Sequence, residues 1–362
     1  MVSQVLSADS HILEPPDLWT TRMEKRFRDK APHVVKDFNG QKGDFFVCQP
    51  LRPFNPFQLG CAGVAPEKMA ELAASGYAAC RPGSWDPAER LKDMDAQGVD
   101  VQVISIHTPF FGYHLDPAQG RQLARDVNDE IAAMARQWPR RFAGLATLSV
   151  QDVTAAIDEL ERAVTVLGLK GAELDTVVNG ENWDEPKFLP LFKAAEAMGA
   201  VLFFHPQPQH NFMMQRTTRY GLFNSLGVIV EDAIVVAILI FGGVLDACPD
   251  LKVCIAHGGG PACFAMGRLD RGWQSRAEAR GQAQQPPSTY QRRLYYDCVT
   301  GSEAALRFLL DQVGADRVVL GSDWPFVPWH PSPVAWVQGL KTLTQDEKDK
   351  ILWRNLESLL KL

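Results

Sequence analysis

Eight short apolar, β-branched runs separated by helical stretches predict an α/β protein of the (β/α)8 barrel class. Two further observations favour a closed barrel. No linker-like change in composition divides the 362 residues, so residues 1–362 read as a single domain. No GxGxxG follows an early strand, which removes the phosphate signature of a dinucleotide-binding doubly wound sheet.

In chain order, the strand runs fall at 4–12, 101–107, 142–148, 169–175, 200–206, 251–258, 294–300 and 318–325. Helical patterns occupy 86–98, 117–138, 153–167, 186–198, 228–247 and 302–313, and a last one at 345–362 is expected to cover the barrel. Residues 20–85, rich in Pro and Gly and carrying Arg52-Pro53-Phe54-Asn55-Pro56-Phe57, interrupt the alternation after the first strand. They read as an insertion that forms a lid or pocket wall. A second polar and aromatic excursion, 207–227, follows the fifth strand, where a substrate loop belongs.

With 46% hydrophobic residues the chain is too apolar to be disordered, and a net charge of -6 without basic blocks offers no footprint for nucleic acid or anionic membranes. Small molecules are the expected partners. The apolar run 233–245, bracketed by Asp232 and Asp246, is shorter than a bilayer span and reads as a buried helix. No basic segment followed by an apolar one opens the sequence, so the expected location is cytoplasmic. Cys48, Cys61, Cys80, Cys248, Cys254, Cys263 and Cys298 contain no CxxC pair and are expected to be reduced core residues.

Barrel enzymes place their chemistry at the C-terminal ends of the strands. Here those ends carry Asp9-Ser10-His11, His107, His205, His257-Gly258-Gly259-Gly260 and Ser322-Asp323-Trp324-Pro325. Residues two apart on a strand face one side, so Asp9 and His11 can grip one ion while His205 and Asp323 approach from other strands. Each of these taken alone also reads as a hydrogen-bonded core residue. Together they point to a divalent metal site. His257, ahead of three glycines, occupies the place of a general acid or base.

His107, Phe110, Phe111 and Trp324 can line the substrate pocket or simply pack at the barrel mouth. His210 and His330 lie in loops after the fifth and eighth strands, where they can contact substrate, and Glu14 reads as a surface carboxylate first and as a partner that orients His11 second. His33 and His114 receive no role.

The stretches DSH, FFHP, KVCIAHGGG and VVLGSDWPF resemble the metal-dependent decarboxylase branch of the amidohydrolase superfamily, the family of 2-amino-3-carboxymuconate 6-semialdehyde decarboxylase. Trp85-Asp86-Pro87, Met94-Asp95, Pro139-Arg140-Arg141-Phe142 and Met266-Gly267-Arg268 add to the likeness, which covers 4–12 and about 85 onward. The resemblance implies His11 and His205 as ligands, Asp323 as the catalytic carboxylate ligand, and His257 as the acid or base beside one divalent ion. Zn is the expected ion, with Mn as the other candidate. It also implies that Arg268 reaches a neighbouring subunit's site and holds a substrate carboxylate, hence a homodimer.

Three departures stand out. Asp9 replaces the first histidine of the family's HxH, an acidic residue being found there in the resorcylate-type enzymes. Ala78 stands where an arginine precedes WDP by seven residues, and Gln207 stands where a tryptophan follows HP. The expected activity is therefore non-oxidative decarboxylation of an aromatic or conjugated carboxylic acid other than the muconate semialdehyde. The same site suits hydrolysis of a C–N, ester, lactone or C–C bond, and a barrel that only binds a small acid is the third reading.

Overall fold

In the computed structural model the described residues are 4–13, 21, 25, 28, 32–48, 52–208, 212–213, 216–326 and 332–362. Parallel strands form the barrel. β1 comes in two pieces, Leu6–Ser7 and His11–Ile12, followed by β2 (Val101–Ile106), β3 (Phe142–Gly144), β4 (Gly171–Leu174), β5 (Val201–Phe204), β6 (Lys252–Ile255), β7 (Tyr295–Asp297) and β8 (Val318–Val319). β1, β2 and β3 form one ladder and β4 to β8 another. Bridges between Ala146 and Ala172 and between Ser10 and Trp324 join the two ladders into a ring.

The run expected at 4–12 is not one continuous strand. Leu6 pairs with Val101, whereas His11 pairs with Ser105, so β1 holds one more residue than β2 between the two pairings. That bulge bends β1 at Ala8 to Ser10 and turns the Asp9 and His11 side chains toward the top of the barrel. Hydrogen bonds from Ala8 N to Leu320 O and from Ser322 N to Asp9 O stitch the bend to the chain after β8.

Helices follow the strands: α1 (Pro87–Gln97), α2 (Pro117–Gln137), α3 (Val153–Thr165), α4 (Leu189–Met198), α5 (Ile229–Phe241), α6 (Ala262–Ser275) and α7 (Glu303–Val313). Asp86, Asp116, Asp152 and Ser302 cap α1, α2, α3 and α7 by accepting from first-turn amides. The helix expected at 228–247 breaks at Gly242, where a Cβ would strike Asp184 and the Ile238 carbonyl.

With the π-helical turn Phe223–Val228 ahead of it, α5 extends a 19-residue helix of mean hydropathy 2.1, long and apolar enough to cross a membrane. It lies in the barrel's helical layer. It buries Asp232, Val235, Val236, Leu239 and Ile240, while Ala233, Ile234, Ala237, Ile238 and Phe241 are half-buried, so the buried helix expected here sinks one face fully and the other in part.

Inside the barrel, Leu6, Ala8, Val101, Val103, Leu145, Val201, Phe203, Cys254 and Val319 form an apolar floor, which Leu356, Leu359 and Leu360 plug from below. The upper layer is polar. Between β1 and α1, a hairpin of His33–Lys36 with Asp44–Val47 leans on the barrel mouth through Phe46, which meets Phe110 at 4.8 Å and Tyr77 at 5.4 Å. Ala62 N donates to Pro325 O at 3.1 Å, tying this segment to the chain after β8. All seven cysteines are free and buried.

Candidate metal centre and active site

Asp9 and His11 from β1, His205 after β5 and Asp323 after β8 each direct one donor atom to a common point, the four atoms lying within 4.8 Å of one another. Asp9 Oδ1 is 3.2 Å from His11 Nε2, and Asp323 Oδ1 is 3.5 Å from His11 Nε2 and 3.6 Å from His205 Nε2. All of these atoms are buried, and none makes a hydrogen bond among the described residues. Ligand bonds of roughly 2.0–2.2 Å set neighbouring donors roughly 3.0–3.5 Å apart, so the separations fit donors around one divalent ion. Two carboxylates and two imidazoles suit such an ion, and these residues form a divalent metal site.

The opposite edge of each imidazole is fixed. His11 Nδ1 is 3.2 Å from Ile106 O, 3.4 Å from Ser105 Oγ and 3.5 Å from Glu173 Oε1, and His205 Nδ1 is 3.2 Å from Pro206 O. Nε2 is thereby left for the centre in both rings. From below, the buried Arg90 guanidinium of α1 donates to the His11 carbonyl, to Gly83 O at 2.8 Å and to Gln102 Oε1 at 3.1 Å.

His257 stands beside the ligands, its ring 4.7 Å from that of His205 and its Nε2 4.0 Å from Asp323 Oδ2. Its backbone is left-handed, with φ of 51°, as is that of Asp323, also 51°. Non-glycine residues rarely adopt that conformation, and both sit at the cluster of donor atoms. The turn that imposes it on His257 is held by Asp297, whose Oδ1 accepts from Gly258 N at 2.9 Å and Val299 N at 2.9 Å. On its far side, His257 Nδ1 donates to Asp232 Oδ2 at 2.9 Å.

Electrostatics match a cation site. Burial alone would raise the carboxyls of Asp9 and Asp323, yet the adjacent imidazoles of His11 and His205 hold both below the usual range. Burial works against the charged forms of His11 and His257, and nearby carboxylates overcome it: Glu173, Asp323 and Asp9 for His11, and Asp232 foremost for His257, which is pushed up to about 10. Burial raises Glu173 to about 7 and also raises Asp232 and Asp297. So many carboxylates buried together favour positive charge among them.

The remaining sequence candidates separate. His107 is fully buried, its Nε2 donating to Leu59 O at 3.0 Å, and burial keeps its imidazole well below the usual range. It stacks on His11 at 5.7 Å and meets Phe326 edge-on at 4.3 Å. Phe111 stacks on Tyr113 at 5.6 Å, and Trp324 lies under the Arg81 guanidinium at 5.0 Å. Arg268 is exposed on α6 and makes no hydrogen bond or ion pair among the described residues, so its own chain does not gather it into the site. His114 Nε2 sits 3.5 Å from Cys48 Sγ, and His33 lies in the hairpin. His210, His330 and Glu14 lie outside the described residues.

Sequence reasoning missed Asp232, Glu173, Asp297 and Arg90. The available signal was an acidic residue within a mostly apolar run, as with Asp232 at the edge of 233–245 and Glu173 within 169–175.

Comparison with known proteins follows the same line. The amidohydrolase family profile matches residues 33–362. A 2-amino-3-carboxymuconate-6-semialdehyde decarboxylase of Dictyostelium discoideum is 34% identical over 272 residues, 75% of each chain. A gamma-resorcylate decarboxylase of Polaromonas sp. strain JS666 is 26% identical over 297 residues, 75% of this chain and 86% of that one. A solved dihydroxybenzoic acid decarboxylase of Polaromonas sp. JS666, with bound manganese and the inhibitor 2-nitroresorcinol, superposes with a TM-score of 0.77 at 21% identity, covering 100% of this chain and 98% of the other.

Proposed function

Because the chain belongs to the amidohydrolase family, we propose that it is a metal-dependent, non-oxidative decarboxylase of an aromatic or conjugated carboxylic acid. The carrying observation is the buried group of unpartnered donor atoms on Asp9, His11, His205 and Asp323 with His257 at its edge. A divalent ion bound there supplies a Lewis acid that orients the substrate's oxygens and stabilises charge developing on them.

The chain's own residues do the rest. Asp9, His11, His205 and Asp323 hold the ion, and Phe326, packed on His11 at 5.1 Å and on His107, shields the ligand imidazoles. His257 Nε2 delivers a proton to the carbon that bears the carboxylate. The C–C bond then breaks, its electron pair restores the ring or alkene, and CO2 leaves. Atoms and charge balance without an oxidant or reductant.

The finer assignments rest on particular residues. Asp9, Ala78 and Gln207 support a hydroxylated aromatic acid over the muconate semialdehyde. Zn suits the two imidazoles, while the second carboxylate and the manganese-bearing structural neighbour support Mn. We place the protein in the cytoplasm as a homodimer. The dimer is supported by α6, which presents Phe264, 82% exposed, and Arg268 four residues later on one face, beside the half-buried apolar face of α5.

Elemental analysis of the purified protein tests the centre. Near-stoichiometric Zn or Mn is expected, lost in Asp323→Ala; failure to take up either ion would remove the reading. CO2 release is then measured from 2,6-dihydroxybenzoate and related acids. His257→Asn should keep its metal and lose turnover by about a thousandfold or more. A variant retaining about a tenth of the rate would show that His257 is not the proton donor.

A further inference from the structure

Asp232 is a fully buried carboxylate whose surroundings do not look structural. Its Oδ2 accepts from His257 Nδ1 at 2.9 Å, and its Oδ1 has no hydrogen-bond partner among the described residues. Two buried carboxylates with structural roles, Glu159 and Asp297, are better satisfied. Glu159 takes Asn128 at 2.8 Å, Arg162 at 2.7 and 2.9 Å and Arg125 at 3.3 Å, which pins α2 to α3. Asp297 takes two backbone amides. Sinking a carboxylate into an apolar helix face with one partner costs stability, and such groups persist where they act on that partner.

The fold brings this pair together by close backbone approach. His257, Gly258, Gly259 and Gly260 have φ of 51°, 62°, 70° and 53°, four consecutive residues of positive φ. A Cβ at Gly260 would run into the carbonyl of Ile229, the first residue of α5, and a Cβ at Gly259 into the ring of Tyr296. The glycine turn is thus pressed against the start of α5. His257 lies three residues before the contact and Asp232 three residues beyond it, and the two side chains meet.

We propose that Asp232 is a positioning residue: by accepting the Nδ1 proton of His257 it fixes the imidazole so that Nε2 faces the metal centre. The claim rests on the decarboxylase reading for what Nε2 then does. Oriented in this way, the ring carries a transferable proton on the side of Asp323, and the Asp232 carboxylate stabilises the imidazolium before transfer and recovers it afterwards. An acid that fixes a histidine's tautomer and orientation is worth far more to the rate than to substrate binding.

The test is the proton itself. In Zn-loaded protein labelled with 15N-histidine, the resonances lost in His257→Asn identify His257. Wild type should show a proton bound to Nδ1, shifted downfield by its hydrogen bond; a His257 protonated at Nε2 alone overturns the proposal without any Asp232 variant. Asp232→Asn should lose that signal, keep its zinc by elemental analysis, and release CO2 at least about tenfold more slowly with KM within about threefold. A variant with wild-type zinc and a rate within about twofold of wild type also overturns it. Should His257→Asn itself stay active, the decarboxylase role of His257 fails, and the orientation of the ring is still decided by the resonance.

Discussion

At the residue scale, His11 is held from three sides, and each hold leaves Nε2 facing the centre. Ile106 O, Ser105 Oγ and Glu173 Oε1 surround Nδ1, and Arg90 grips the main-chain carbonyl. Glu173 Oε1 lies 3.5 Å behind the ring, where its carboxylate can balance a charged imidazole even though burial raises it to about 7. Replacing it with Gln keeps the shape and removes the charge. Glu173→Gln should lower metal affinity by about 10- to 100-fold while leaving the fold intact, measured by competition with a chelator and by circular dichroism. An unchanged affinity would mean that the backbone and Ser105 suffice to orient His11. The ligands were legible in the sequence because a metal site needs His and Asp at strand ends, a pattern apolar packing does not produce. Glu173 and Asp232 were hidden because their partners come from distant segments, and each is a single acid in an apolar run.

At the scale of elements, the barrel strands were legible as eight apolar runs, but their lengths were not. β1 and β8 are cut to two-residue pieces because Asp9 and Asp323 turn inward at a bulge and at a left-handed residue, and ladder pairing yields there to ligand geometry. α5 was read as ending near Ala247, yet Gly242 packs so closely on Asp184 that the helix stops at Phe241. The glycine turn after β6 is the element on which the site depends most. Gly260→Ala demands both a positive φ and space already filled by Ile229 O. The variant should lose more than about 2 kcal/mol in urea unfolding and most of its CO2 release. A stable, active variant would show that the turn and α5 can part without disturbing His257.

At the scale of the whole molecule, the single barrel follows from ring closure between segments more than 300 residues apart, since Ser10 meets Trp324. The surface beyond the ring carries the proposed pairing of subunits. Phe264→Glu should convert a species of twice the 40.2 kDa chain mass into one of single mass by light scattering, and a wild type already monomeric would dismiss the interface. Closure has another side. The barrel floor is sealed by Leu356, Leu359 and Leu360, which follow every strand in the order of synthesis. A nascent chain therefore emerges with all eight strands translated and its interior still open from below. Shortening the chain before residue 356 should open this floor and leave less folded protein, measured as soluble yield and urea unfolding; an unchanged yield would show that the plug is dispensable.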